Sequence, residues 1–521
     1  MRTIVFWLDS FDFGYAQELA ERGLLPWFSA QLQQGSLVAT HGSVLAGAEM
    51  VNATCGVSAA RHGYLHVTQL RSGTYEEVET DARVVRTAPF YVPLTRAGLK
   101  GFVVDLPGDR PRPYKHLAQV IEWGREFNLW PYATTPRGLK ERVQKWCGAH
   151  PLTGYGHTVP DEPTLLALRE KLHHGTRMKG KLVRELMRHD SRWQFGFAGF
   201  SEVHKGGHFF WQYQDPNHPK YAGAEHPLAG ALVELYRVLD DECASICEAA
   251  GEDTNVLIVS DRGMGPNYRG DHLVEPVLER LGMYAASSGT RADLLETDDT
   301  SGTHSPETSG PASIARRLKR HLPIAIRPLI RRLTDRERAN WAKTSVFQIA
   351  DVGASHLRVN LIGREPRGIV APGREYELLL SLLEREFQSL INPATGRSPI
   401  AEIVFPQREF SGPLQAELPD VGIIWGAEAP VAMLESPSIG RVEGVRWEQR
   451  SGNHTIGGGI LVSGPNFTVG RDRRGDLREL APTLLALHGV GAPDHYEFAP
   501  MAELLVPRGE VESPRSKSTG T

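Results

Sequence analysis

Thr3 to Leu8 is an uninterrupted run of β-branched, aromatic and aliphatic residues, and Asp9 ends it. A run with no polar alternation reads as a strand buried on both faces, as in a parallel sheet. Similar runs recur. Leu99–Asp105, Phe195–Phe200 and Asn255–Ser260 are strands by the same argument, and polar groups follow each of them. Between them lie helical patterns over Ala16–Arg22, Glu49–Val57, Glu162–Arg188 and Leu228–Ala250. Trp27 begins a further helix that ends near Gly35, and Ser36–Thr40 is a candidate strand. Strands alternating with helices predict an α/β fold with a mostly parallel central sheet and helices on both faces. Downstream, Glu375–Ser389 is helical, while Ile400–Phe405, Val421–Trp425 and Ile460–Ser463 are strands. Leu477–Leu487 is a helix in which Pro482 predicts a kink.

In open parallel sheets, ligands bind outside the carboxyl ends of the strands. Asp9, His204 with His208, and Asp261 all stand at such ends. Alone, Asp9 is a turn or capping residue. Together the residues have the character of a metal crevice. Gly206 and Gly207 between the two histidines predict a tight turn that lets both imidazoles reach one cation. His454, ahead of the strand Ile460–Ser463, would complete a three-histidine site with an open position. Asp9 and Asp261 supply carboxylates for a second, harder site, and paired cations about 4 Å apart are a common device for displacement at phosphorus.

Composition narrows the class. The 521 residues are 40% hydrophobic and 23% charged, an ordinary globular balance. A formal net charge of -4 lacks the basic footprint of a nucleic-acid binder. Four cysteines, at 55, 147, 243 and 247, are too few and scattered for a disulfide framework. The N-terminus does not have the pattern of a signal peptide, and no apolar run reaches the length of a transmembrane helix. The expectation is a cytoplasmic protein. Residues 1–506 read as a single domain carrying a polar and basic insertion at about 286–340, with a disordered tail over 507–521. The basic stretch 314–333 reads as a solvated face.

The motifs then converge on one family. Phe6-Trp7-Leu8-Asp9, Cys55-Gly56 through Arg61-His62-Gly63-Tyr64, Gly206-Gly207-His208 and Val259-Ser260-Asp261-Arg262-Gly263-Met264 occur in order. Gly452-Asn453-His454 with Gly464-Pro465, and Leu480-Ala481-Pro482-Thr483-Leu484-Leu485, complete the series. This pattern resembles the type I phosphodiesterase/nucleotide pyrophosphatase branch of the alkaline phosphatase superfamily. The resemblance implies an alkaline-phosphatase-like α/β fold and a two-zinc hydrolase of phosphate esters with a Thr or Ser nucleophile. It implies that Asp9 and Asp261 bind one metal, and that His208 and His454 bind the other with His204 where the family has Asp. The cofactor expected is a divalent metal, zinc, as one or two ions, and the partner is a small phosphorylated substrate.

Two positions depart from the family pattern. Arg262 stands where the family has a metal-binding His, and a guanidinium has no lone pair to offer a metal. Its planar fork suits a phosphate or sulfate, which makes Arg262 a candidate substrate-binding residue. The nucleophile position reads Ala46. Ser43 and Thr54 are the nearest hydroxyls, and Glu49 is a further candidate nucleophile or ligand. His272 is a candidate replacement for the lost ligand. The alternative to a hydrolase is a catalytically degenerate relative that binds an anionic ligand.

Overall fold

The computed structural model describes residues 1–41, 45–124, 129–152, 161–287, 339–349, 354–444 and 450–506. Most of the expected insertion at 286–340, the tail from 507 and Ser43 lie outside the described residues.

A nine-stranded sheet forms the centre. Its strands are β1 (Arg2–Leu8), β2 (Gly35–Thr40), β3 (Gly101–Val104), β4 (Leu117–Ile121), β5 (Ala133–Thr135), β6 (Phe195–Phe200), β7 (Thr254–Ser260), β8 (Gly458–Ser463) and β9 (Arg473–Gly475). The spatial order is β9-β2-β8-β7-β1-β6-β3-β4-β5. β1 lies at the middle and pairs in parallel with β6 and β7. β8 runs antiparallel to both β7 and β2, and β5 runs antiparallel to β4. The sheet is therefore mostly parallel, the α/β architecture expected.

Why β1 is apolar on both faces is visible in the two cores. Ile4, Phe6 and Leu8 pack into one core with the helices Phe13–Glu21, Glu162–His189 and Ala231–Ala250. Val5 and Trp7 point the other way, into a core shared with Leu480–Leu487 and Tyr91–Arg96. Successive strand side chains alternate between faces, so a strand covered on both sides has no polar position to spare.

The expected elements occur with shifts of a few residues at their ends. The expected helix Leu477–Leu487 is divided into a 3₁₀ turn over Leu477–Glu479 and the α-helix Leu480–Leu487. Pro482 lies in the first turn of the latter, where a missing N–H costs no intrahelical bond.

A smaller four-stranded sheet has its own core. Val346–Ile349, Ser355–Val359, Val421–Trp425 and Ile400–Val404 pair antiparallel in that order. The helix Arg374–Gln388 contributes Leu380, Leu383 and Phe387 to this core. Among the described residues, no helix is long and apolar enough to cross a membrane.

Candidate metal centre

The centre sits at the carboxyl ends of β1, β6 and β7. Asp9 and Ser10 follow β1, Ser201 follows β6, and Asp261 and Arg262 follow β7. β8 runs the opposite way, so its start lies at the same end. Just upstream, Gly452–Thr455 forms a two-stranded ribbon with Gly263–Pro266, and His454 faces Met264 in that register.

His204 and His208 are not on a turn. They lie one helical turn apart on the helix Glu202–Phe210. The expectation of a tight turn at Gly206-Gly207 is therefore corrected, and the glycines serve close packing instead. A Cβ on Gly207 would stand 2.5 Å from Met264 Cγ, and one on Gly452 would stand 2.1 Å from the Gly207 carbonyl oxygen. Only glycines let the helix and the ribbon approach closely enough to bring His454 onto the other two rings. The three ring centroids lie 4.8, 4.8 and 4.9 Å apart.

The outer nitrogen of each imidazole has an acceptor. His204 Nδ1 is 2.8 Å from Asp9 Oδ2. His208 Nδ1 is 2.9 Å from the Gly452 carbonyl oxygen. His454 Nδ1 is 3.2 Å from Ser10 Oγ, which in turn lies 3.2 Å from Asp9 Oδ1. An acceptor on Nδ1 fixes the tautomer and leaves Nε2 as the ligand atom, the arrangement around histidines that hold metals. The Nε2 atoms of His204 and His208 are 2.9 Å apart. Two lone pairs cannot face each other at that distance, so the geometry requires a proton or a cation between them. Potential ligand atoms of His204, His208 and His454 all lie within 4.8 Å of one another.

Burial lowers the His454 pKa far below the usual imidazole range, and the nearby charge of Arg262 adds to this, so its ring is neutral. Burial works to raise the Asp9 carboxyl, but the charge and hydrogen bond of His204 prevail and lower it. Burial raises Asp261, against the pull of Arg262 and with the charge of Asp9 adding to the rise.

Arg262 is buried and turned onto its neighbour. Its Nε lies 2.7 Å and its Nη2 2.5 Å from Asp261 Oδ2. Ser260 Oγ donates to the Arg262 carbonyl oxygen at 2.8 Å, which braces this turn.

The structure thus brings together Asp9, His204, His208, Asp261, Arg262 and His454. The Thr54 hydroxyl is buried and donates to the Met50 carbonyl oxygen within its own helix at 3.0 Å. Glu49 opens that helix and accepts from Asn52 at 3.4 Å. Position 46 lies in the 3₁₀ turn Ala46–Ala48 just before it. His272 sits in another 3₁₀ turn, over Asp271–Leu273, against Gly444. The metal-capable cluster among the described residues includes neither Glu49 nor His272.

Sequence reasoning missed two residues. Ser10 links His454 to Asp9 and holds a left-handed φ of 53°. In the sequence the available signal was a hydroxyl directly after a strand-end Asp. Arg450 places Nη1 3.2 Å from His208 Nε2, and nothing in its local sequence marked it.

The helix that carries His204 and His208 is anchored by a buried carboxylate. Glu202, in its first turn, is fully buried and lies 3.2 Å from both Lys179 Nζ and His150 Nε2. Burial opposes its charge, but Lys179 and His150 hold its pKa down to about 2.

Comparisons with known proteins agree with this architecture. No curated protein matches the chain in sequence. In structure it is similar to a phosphonoacetate hydrolase from Sinorhizobium meliloti 1021 in complex with phosphonoformate. That match has 13% identity, covers 92% of this chain and 94% of that one, and has a TM-score of 0.52. It is also similar to murine ectonucleotide pyrophosphatase/phosphodiesterase 5, at 12% identity, with 97% and 100% coverage and a TM-score of 0.50. An inactive form of the same murine protein, in complex with AMP, matches with the same identity, coverage and score. Identities this low speak to the fold alone. The family model for type I phosphodiesterase/nucleotide pyrophosphatase matches residues 3–348, which include every centre residue except Arg450, Gly452 and His454. The chain belongs to the type I phosphodiesterase/nucleotide pyrophosphatase family.

Proposed function

We propose that the chain is a metal-dependent hydrolase of phosphate esters that holds a divalent cation on Nε2 of His204, His208 and His454. The family supports phosphoester hydrolysis of the phosphodiesterase or pyrophosphatase type. The observation that carries the finer reading is the set of three Nδ1 acceptors, Asp9, Gly452 and Ser10, which turn three imidazoles toward one point. Three histidines with an open position suit zinc, which in such a site supplies Lewis-acid polarisation of a phosphoryl oxygen.

The chain's own residues do the rest. Asp9 orients His204 and balances charge in the centre. Ser10 orients His454. Arg450, beside the ligand atom of His208, is placed to receive a phosphoryl oxygen in its guanidinium fork. With Ala46 at the nucleophile position, the attacking group is water. Candidate substrates are small phosphate esters, nucleoside monophosphate esters among them.

The test is metal content with turnover. Purified protein should carry zinc, the His208→Ala variant should lose it, and the wild type should hydrolyse bis-p-nitrophenyl phosphate. Less than half an equivalent of zinc, with no turnover of any generic ester, would overturn the reading. One observation favours a second reading, a relative that binds an anion without cleaving it: position 46 has no hydroxyl. Binding of AMP without turnover by zinc-loaded protein would select that alternative.

A further inference from the structure

Beside the three histidines lies a second group of charges, of which the proposed chemistry uses only Asp9, through its hydrogen bond to His204. Asp9 and Asp261 end adjacent strands, and both carboxylates are buried. The Ser10 amide lies 3.5 Å from Asp261 Oδ1, which ties the two strand ends together. Two buried carboxylates this close repel each other and need a cation. The family resemblance assigns that role to a second metal ion. The residues present do not fit one. Asp9 Oδ2 is engaged by His204 Nδ1. Asp261 Oδ2 is engaged by both Nε and Nη2 of Arg262. The remaining family ligand is the arginine itself, which has no lone pair to give.

We infer that the Arg262 guanidinium stands in the place of the second cation, so that this centre is built for one metal ion, held by the histidines. Arg262 is covalently part of the chain, permanently charged, and clamped by the carboxylate beside it. Arg262 is itself buried, just after the strand that pairs with β1. It supplies the positive charge of an ion without exchange and without open coordination positions. The consequence for the reaction is specific. An arginine can hold an oxyanion by hydrogen bonds, but it cannot activate a hydroxyl by direct ligation. Loss of the second ion therefore matches loss of the nucleophile, since Ala46 leaves no hydroxyl to activate.

This inference rests on the three-histidine reading, and one experiment separates the two. Wild type, Arg262→Lys and Arg262→His proteins are stripped with chelator, reloaded with excess zinc chloride, desalted, and analysed for zinc per chain. Manganese-loaded samples are examined by electron paramagnetic resonance for exchange coupling between paired ions. Wild type and Arg262→Lys should each hold one equivalent with uncoupled manganese. Arg262→His should hold two, with a coupled pair, because an imidazole there restores a ligand beside Asp9 and Asp261. Two equivalents in the wild type would overturn this inference and leave the histidine site standing. Zero equivalents would overturn the histidine site, and this inference with it. One equivalent in a folded Arg262→His protein would also overturn it, since the carboxylates would then not be ready for an ion. If Arg262→His does not fold, the wild-type and Arg262→Lys stoichiometries and spectra still decide the matter.

Discussion

The two halves of the centre solve one electrostatic problem in opposite ways. Both are buried at the same end of the same sheet. The carboxylate half, Asp9 and Asp261, has its cation built in as Arg262. The histidine half has its rings turned inward on one another, with two Nε2 atoms that need a proton or a cation between them. A fixed guanidinium makes one half a structural element even without metal. Three clustered imidazoles make the other half a candidate binding site. Stability measured without metal therefore reports on the first half, and metal affinity on the second.

Mutations can break that comparison, and the largest effect belongs to the carboxylate half. Arg262→Met removes one partner of a buried ion pair, which costs about 3–5 kcal/mol. Denaturant unfolding in chelator should show that loss. A change below about 1 kcal/mol would mean that Arg262 does not neutralise the pair.

Acid provides a reference outside both halves. His62 donates from Nε2 to Asn52 Oδ1 at 2.7 Å and accepts at Nδ1 from the Tyr64 amide, so it is a neutral structural tie. Burial lowers its pKa from 6.5 to about 3. The unfolded chain takes the proton first, so the stability from neutral His62 is complete above pH 6.5 and drains away as pH falls toward 3. The expected loss is on the order of 4 kcal/mol at the acid end. His62→Gln should flatten that slope in chelator, and an unchanged slope would refute the assignment.

Smaller effects probe the histidine half. Asp9→Asn weakens the acceptor that orients His204 and should lower zinc affinity by roughly 10- to 100-fold, as changes behind a ligand do. Ser10→Ala removes a bond between less charged partners, so its effect should lie at or below the bottom of that range. Competition with a chromophoric chelator measures both. A larger loss for Ser10→Ala than for Asp9→Asn would reverse the proposed hierarchy.

Much of the fold was legible because its central strands are covered on both faces. Such strands write themselves as unbroken apolar runs, and polar residues then mark where each run leaves the sheet. Asp9, His204, His208 and Asp261 stood out for that reason. His454 was harder to place, because it precedes an antiparallel strand and reaches the centre from the opposite direction. Gly206 and Gly207 were legible as important but not as helical. Glycine spacing does not distinguish a turn from a close helix contact, and only the opposing Gly452 decided between them.

By itself the sequence determined the α/β class, the strand ends that carry chemistry, and the two departures at Ala46 and Arg262. Those are properties of local pattern and of side-chain chemistry, and they hold in any arrangement of the chain. The tertiary structure decided how the residues divide the work. Asp9 turned to His204, Ser10 bridged to His454, Arg262 closed onto Asp261, and Arg450 came to rest beside His208. Each of these, except the neighbouring Arg262 and Asp261, joins residues some two hundred or more positions apart. Their pairing depends on strand order and on the close approach of two glycines, and no local pattern encodes either.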